Sequence, residues 1–151
     1  MLLLGRRDGP LVQLAGQLRA SGLPEADAQS ATILVNALSG ADDAIAASEA
    51  FAERGGGHLI VHLLPPVPPG DWPACRDTTL IWAYTRHAAL AFAPARLRVN
   101  ALAACGAPAV PGLDVIPRTK AAAATAGDLA GAVLAMARWP SMTGQLIRLG
   151  G

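Results

Sequence analysis

Lysine and tyrosine are nearly absent from this chain: Lys120 and Tyr84 are single occurrences among 151 residues. Charge is scarce altogether, at 15% Asp, Glu, Lys and Arg, and balances to a formal net +1. That excludes the broad basic surface needed to neutralise a nucleic-acid backbone or to hold an anionic lipid surface. Cysteine occurs twice, as Cys75 and Cys105, with no CxxC spacing. The pair reads as small buried side chains in a reducing compartment rather than a disulfide framework. No apolar run reaches the roughly 18 residues of a membrane span, because Arg86 and Asp128 interrupt the two best candidates. The three leucines before Gly5 are too few for a signal-peptide apolar region. The expectation is a cytoplasmic protein, with no membrane and no nucleic acid as partner.

What is present is apolar: 52% of the residues, enough for one domain over residues 1–151 to bury a core. Short apolar runs at Met1–Gly5, Thr32–Ala37, Leu59–Leu64, Leu97–Ala103 and Leu146–Leu149 read as strands. Between them lie helical patterns. Pro10 opens one that Gly22 ends, with Leu11, Leu14, Ala15 and Leu18 on one face. A second covers Ala41–Arg54 and is stopped by Gly55-Gly56-Gly57, and a third covers Thr78–Ala93 ahead of Pro94. The last starts at Thr125, with Asp128 as a capping-box partner, and ends at Trp139-Pro140. Strands that are continuously apolar and alternate with helices predict a parallel sheet covered on both faces.

Four segments, in order, resemble the short-chain dehydrogenase/reductases. MLLLGRRDGPL is similar to the family's strand, T-G-x-x-x-G-x-G phosphate loop and helix, and ILVNA to its L-V-N-N-A. HAALAFAPARLRVNALA is similar to K-A-A-L … R-V-N-A-I-A, and SMTGQLIRLGG to the terminal T-G-Q-x-I-x-V-D-G-G. Phe92–Asn100 also carries a faint similarity to the pteridine-reductase branch. The resemblance implies a Rossmann-like sheet of about five strands with helices on both faces, and carbonyl reduction with NAD(P)H. It places a cofactor against Gly5, Arg6, Arg7, Gly9 and Asn36.

The departures from the family are specific. Between Gly22 and Thr32 the family supplies two further strands with their helices, and this chain has a short link. In the order 3-2-1-4-5-6 that removes strands 2 and 3, makes the first strand a sheet edge, and deletes the residue that reads the adenosine ribose. In the loop Leu11 stands at the third glycine position and Asp8 sets a negative charge where phosphates would approach a helix N-terminus. Arg6 and Arg7 offset that charge, so the loop reads either as a remnant anion site or as a solvated turn.

The family's chemistry needs a Tyr, a Lys four residues on, and a Ser at a strand end. Matching Ala88-Ala89-Leu90 to A-A-L puts Ala83 and His87 at the Tyr and Lys positions, and no Ser or Thr occurs from Leu59 to Gly70. The substitute pair is Tyr84 with His87: three apart on a helix they share a face, whereas Arg86 does not. A cationic neighbour would favour the phenolate. His58 and His62 are separated by about 13 Å on a strand, too far for a metal pair, and no metal is expected. Trp72, Trp82 and Trp139 read as core or interface anchors.

Two functions of different class follow. One is a degenerate, catalytically silent member of the family acting as an oligomeric or regulatory partner. The other is an NAD(P)-dependent oxidoreductase for a small carbonyl or pterin-like substrate, with weak or absent cofactor binding as the counter-indication. In the family the helices matching 41–54 and 78–93 form a dimer bundle, and the alanines of both segments would allow close helix approach. A homo-oligomer, or a hetero-oligomer with a full-length relative, is expected through them. The exposed first strand should be covered by a partner chain or by Pro24–Ser30.

Overall fold

A computed structural model of the chain describes residues 1–5, 9–38, 40–64, 66–68, 70–104 and 124–149. Five strands, β1 (Leu2–Gly5), β2 (Ile33–Ala37), β3 (Leu59–Leu64), β4 (Arg98–Ala104) and β5 (Leu146–Leu149), alternate with α1 (Gly9–Ala20), α2 (Ala41–Arg54), α3 (Trp72–Ala91) and α4 (Ala126–Arg138). All neighbouring strands are parallel, and their spatial order is their chain order. The expected Rossmann-like sheet is therefore observed, with β1 at one edge.

The two faces are filled differently. Leu14 and Leu18 of α1 and Val133 and Met136 of α4 pack with Leu3, Val35, Val61 and Leu102. On the opposite face Phe51 of α2 and Ala88 and Ala89 of α3 pack with Leu34, Ile60 and Val99. A neighbouring cluster joins Ala44 and Ile81 to Ala101 and Ala103. Both sides of each central strand are thus buried, which is why those strands read as unbroken apolar runs. Each fully buried Leu or Ile contributes about 1.5–3 kcal/mol.

Every step from strand to strand moves the same way across the sheet, yet α1 and α4 lie on one face and α2 and α3 on the other. Crossing opposite faces in the same direction inverts the hand of the connection. One pair of crossovers is therefore left-handed, a hand seen in about 2% of parallel connections.

The link after α1 wraps the open edge. The Met1 amino group donates to Pro24 O at 3.0 Å and Ala26 N donates to Met1 O at 2.7 Å, the pattern of a parallel bridge. Leu23 packs against the α1/α4 face and Ala26 against the α2/α3 face. Arg54, at the end of α2, donates to Gln29 O and Ala31 O and fixes the far end of the link. The expected cover over the edge is thus present at its first residue, supplied by residues 24–26 of the chain itself.

Several local expectations are met closely. α2 has the expected bounds, with Gly55 at positive φ as its cap. Thr125 and Asp128 form the expected capping box. The third helix differs: it starts at Trp72 rather than Thr78, because Asp71 caps it by accepting from Ala74 N at 3.1 Å and Pro73 sits in its first turn. Trp72 and Trp139 are 77% and 58% exposed and are not core residues, whereas Trp82 packs at the Ala101–Ala103 cluster. Cys75 is a free thiol, and Cys105 lies outside the described residues. No helix among the described residues is long and apolar enough to cross a membrane.

Candidate functional site

Open parallel sheets bind ligands beyond the carboxyl ends of their strands, and Gly5 closes β1 at that end. Its φ is +146°, and a Cβ there would stand 2.8 Å from Leu11 Cδ1, 2.9 Å from Ala37 Cβ and 3.0 Å from Ala37 O. Glycine is thus required by the close approach of α1 and the end of β2. Gly9 is the first residue of α1, while Arg6 and Arg7 lie outside the described residues. Asn36, 1% exposed, is engaged inward. Its Nδ2 donates to Ala44 O at 2.9 Å and to Ser48 Oγ at 3.3 Å, and its Oδ1 accepts from Leu38 N at 3.2 Å. The Asn36 amide therefore fastens β2 and its turn to α2.

Around the carboxyl edge the helix starts are acidic. Asp42 and Asp43 occupy the first turn of α2. Asp71 caps α3, and the Arg76 guanidinium is paired with Asp77 at 2.8 Å. Beyond β1 no further strand occurs among the described residues. The described residues therefore do not build a complete dinucleotide site: the adenosine side has no strand to rest on.

α3 meets the end of β3 only in its middle: Ile81 packs with Leu64, and Tyr84 follows one turn later, against His62. At 1.5 Å per residue, Tyr84 lies about 18 Å along the helix from Trp72 and His87 about 22 Å. The structure also separates the two side chains chemically. His87 is exposed, whereas the Tyr84 hydroxyl is buried and has no hydrogen-bond partner. Burial, reinforced by the negative charge of Glu49, pushes the phenol up to about 12. The expected stabilisation of a phenolate by a cationic neighbour is thereby reversed: desolvation outweighs any help from Arg86 or His87.

Tyr84 instead meets His62 of β3, edge to face, with ring centroids 6.0 Å apart and planes at 88°. His62 is 1% exposed. Its Nε2 lies 3.4 Å from Ser48 Oγ, and Ser48 donates its proton to Ala44 O at 2.8 Å. With that proton engaged, the His62–Ser48 contact requires hydrogen on Nε2, leaving Nδ1 a bare acceptor, and Nδ1 has no partner. Burial pushes the imidazole down to about 4, so it is neutral at physiological pH.

Asn36, Ser48, His62 and Tyr84 thus form one polar cluster between the sheet and the α2/α3 layer. Sequence reasoning missed it because its members come from four elements. The available signal was a polar side chain inside each of two apolar strands, which must find buried partners. Among the described residues no group of three His, Cys, Asp or Glu side chains is placed to hold a metal ion.

No family model and no curated protein matches the chain. Solved structures do. An oxidoreductase of the short-chain dehydrogenase/reductase type from Brucella ovis superposes with a TM-score of 0.53 at 16% identity, over 92% of this chain and 74% of that one. An NADPH-dependent reductase involved in bacilysin biosynthesis gives 0.53 at 13% identity, over 91% and 69%. A promiscuous reductase that catalyses keto-reduction at C1 during lugdunomycin biosynthesis gives 0.51 at 21% identity, over 78% of this chain and 59% of that one. The chain thus spans less than two thirds of that last reductase. At these identities the likeness establishes a shared fold, that of the short-chain dehydrogenase/reductases.

Proposed function

We propose that this chain is a short-chain dehydrogenase/reductase-like subunit that carries out no hydride transfer and acts as an oligomeric or regulatory partner. The observation that carries the reading is the environment of Tyr84, the only tyrosine. Its hydroxyl is buried with no hydrogen-bond partner, and burial and Glu49 raise its pKa. A reductase of this fold needs a phenol made more acidic by a nearby cation, and here the phenol is made less acidic. NAD(P) binding is weak or absent, because the sheet ends at β1 among the described residues.

The surface proposed for the partner is the outer side of α2 and α3. On α3, Leu80, Ala83, His87 and Leu90 recur at three- and four-residue spacing and are exposed, Leu80 at 45% and Leu90 at 79%. On α2, Ala46 and Ala50 are exposed beside Glu49. Small residues next to an apolar stripe admit a second helix pair at short distance. The partner is a second copy of the chain or a full-length relative.

The competing reading, an NAD(P)-dependent oxidoreductase acting on a small carbonyl or pterin-like compound, draws on the tight glycine turn at Gly5 and on the reductases that share the fold. Calorimetric titration with NADH and NADPH, beside size-exclusion chromatography with light scattering, separates the two. The partner reading expects no micromolar binding and a mass above that of one chain, alone or with a complete reductase. Micromolar binding accompanied by turnover would replace it.

A further inference from the structure

A cleft lies at the β5 edge of the sheet, where β5 has no helix above it on the α3 side among the described residues. Its volume is about 560 Å³, within the range of small-molecule pockets. Its lining is Trp82 and Arg86 from α3 with Gly144, Gln145, Leu146 and Arg148 from β5 and the turn before it. Gly144 approaches α3 closely enough that a Cβ would stand 3.3 Å from Ala89 Cβ. The two elements thus meet at Gly144, and the longer side chains of Trp82, Arg86, Leu146 and Arg148 form the walls.

The charge in this cleft is of one sign. Among the described residues no carboxylate lines it, and neither Arg86 nor Arg148 has an ion-pair partner. Arg86 lies instead over the Trp82 ring, 6.0 Å from its centroid. Two guanidiniums on separate elements, one of them over an indole face, match an anion that carries a flat apolar body. The anionic group takes the guanidinium forks, and the flat body lies against Trp82 and Leu146. From the geometry and the charge we infer that this cleft binds a small aromatic or heteroaromatic carboxylate or phosphate. It is distinct from the glycine turn at Gly5, which lies four strands away, about 19 Å across the sheet.

Phenyl phosphate, inorganic phosphate and benzyl alcohol are the probes, with binding followed by NMR of the tryptophan indole signals and by calorimetry. Phenyl phosphate should bind saturably and shift the Trp82 indole resonance, assigned with Trp82→Phe. Arg86→Gln and Arg148→Gln should each weaken it about tenfold, and Arg76→Gln should leave it unchanged. Both arginines are exposed at the surface, and thermal melts check that the variants fold. Three results would overturn the inference: no saturable binding of phenyl phosphate, equal affinity for inorganic phosphate or benzyl alcohol, or binding that survives both Arg substitutions.

Discussion

Acidification should destabilise this protein chiefly through His62. Burial holds its imidazole at about 4, against 6.5 for the unfolded chain. Between those values the unfolded state binds one more proton than the folded state, so stability rises with pH across the window. The contribution is fully present above pH 6.5 and is lost as pH falls through about 4. The gap corresponds to about 3 kcal/mol, a large part of the 5–15 kcal/mol typical of a domain. The partners cannot absorb the charge: Ser48 and Asn36 are neutral donors already committed to Ala44 O, and Tyr84 is a neutral phenol. Urea unfolding followed by circular dichroism from pH 7.5 to 4 measures the effect in the parent chain and in His62→Leu. The leucine variant should show a markedly flatter profile, because the remaining contributions, such as that of His58 held low by burial and the Arg98 charge, come from less buried groups. Parallel profiles for the two proteins would refute the reasoning.

Gly5→Ala should cost about 2–5 kcal/mol in denaturant unfolding, because left-handed strain adds to overpacking against Ala37 O, which cannot yield. A loss below about 0.5 kcal/mol would show that α1 shifts freely. Tyr84→Phe should be neutral or stabilising by about 1 kcal/mol, since it removes a buried hydroxyl with no partner. It should also remove an alkaline loss of stability that the parent shows as pH rises from 10 towards 12, where the folded phenol holds its proton and the unfolded one does not. Thr125→Ala should lower the thermal midpoint by a few degrees by removing the hydroxyl that accepts from Asp128 N, the side-chain half of the α4 capping box, with scanning calorimetry as the check.

The strands were legible because parallel strands buried on both faces leave continuous apolar runs, and all five lie where those runs occur. α2 was legible to the residue, since Gly55 stops it and Asp42 and Asp43 begin it. The start of α3 was not. Trp72 is exposed and gives no periodic apolar signal, so the helix was read from the first amphipathic turn, although Asp71 followed by Pro73 is itself an N-terminal signature. That shift placed Tyr84, read in the first half of a helix, in its second half. The polar cluster was invisible for a different reason. Asn36, Ser48, His62 and Tyr84 have no spacing that a single element imposes, and only the topology brings them together.

The absent pair of strands has physical consequences that run through the whole molecule. In the order 3-2-1-4-5-6 the first helix carries the chain away from the centre of the sheet, and strands 2 and 3 take up that direction. Without them α1 must return the chain to β2, on the other side of β1, while still packing against α4. That reversal accounts for the connection through α1 having the opposite hand to those through α2 and α3. It also leaves β1 with only one neighbouring strand among the described residues. Leu23 and Ala26 anchor on opposite faces while the backbone between them bonds to both polar groups of Met1, so the link does in miniature what a second strand would do. Such a link can satisfy one residue of an edge, but it presents no strand end on which a nucleoside could rest. Among the described residues, the link that closes this sheet edge therefore stands where further strands would carry the adenosine half of a dinucleotide site.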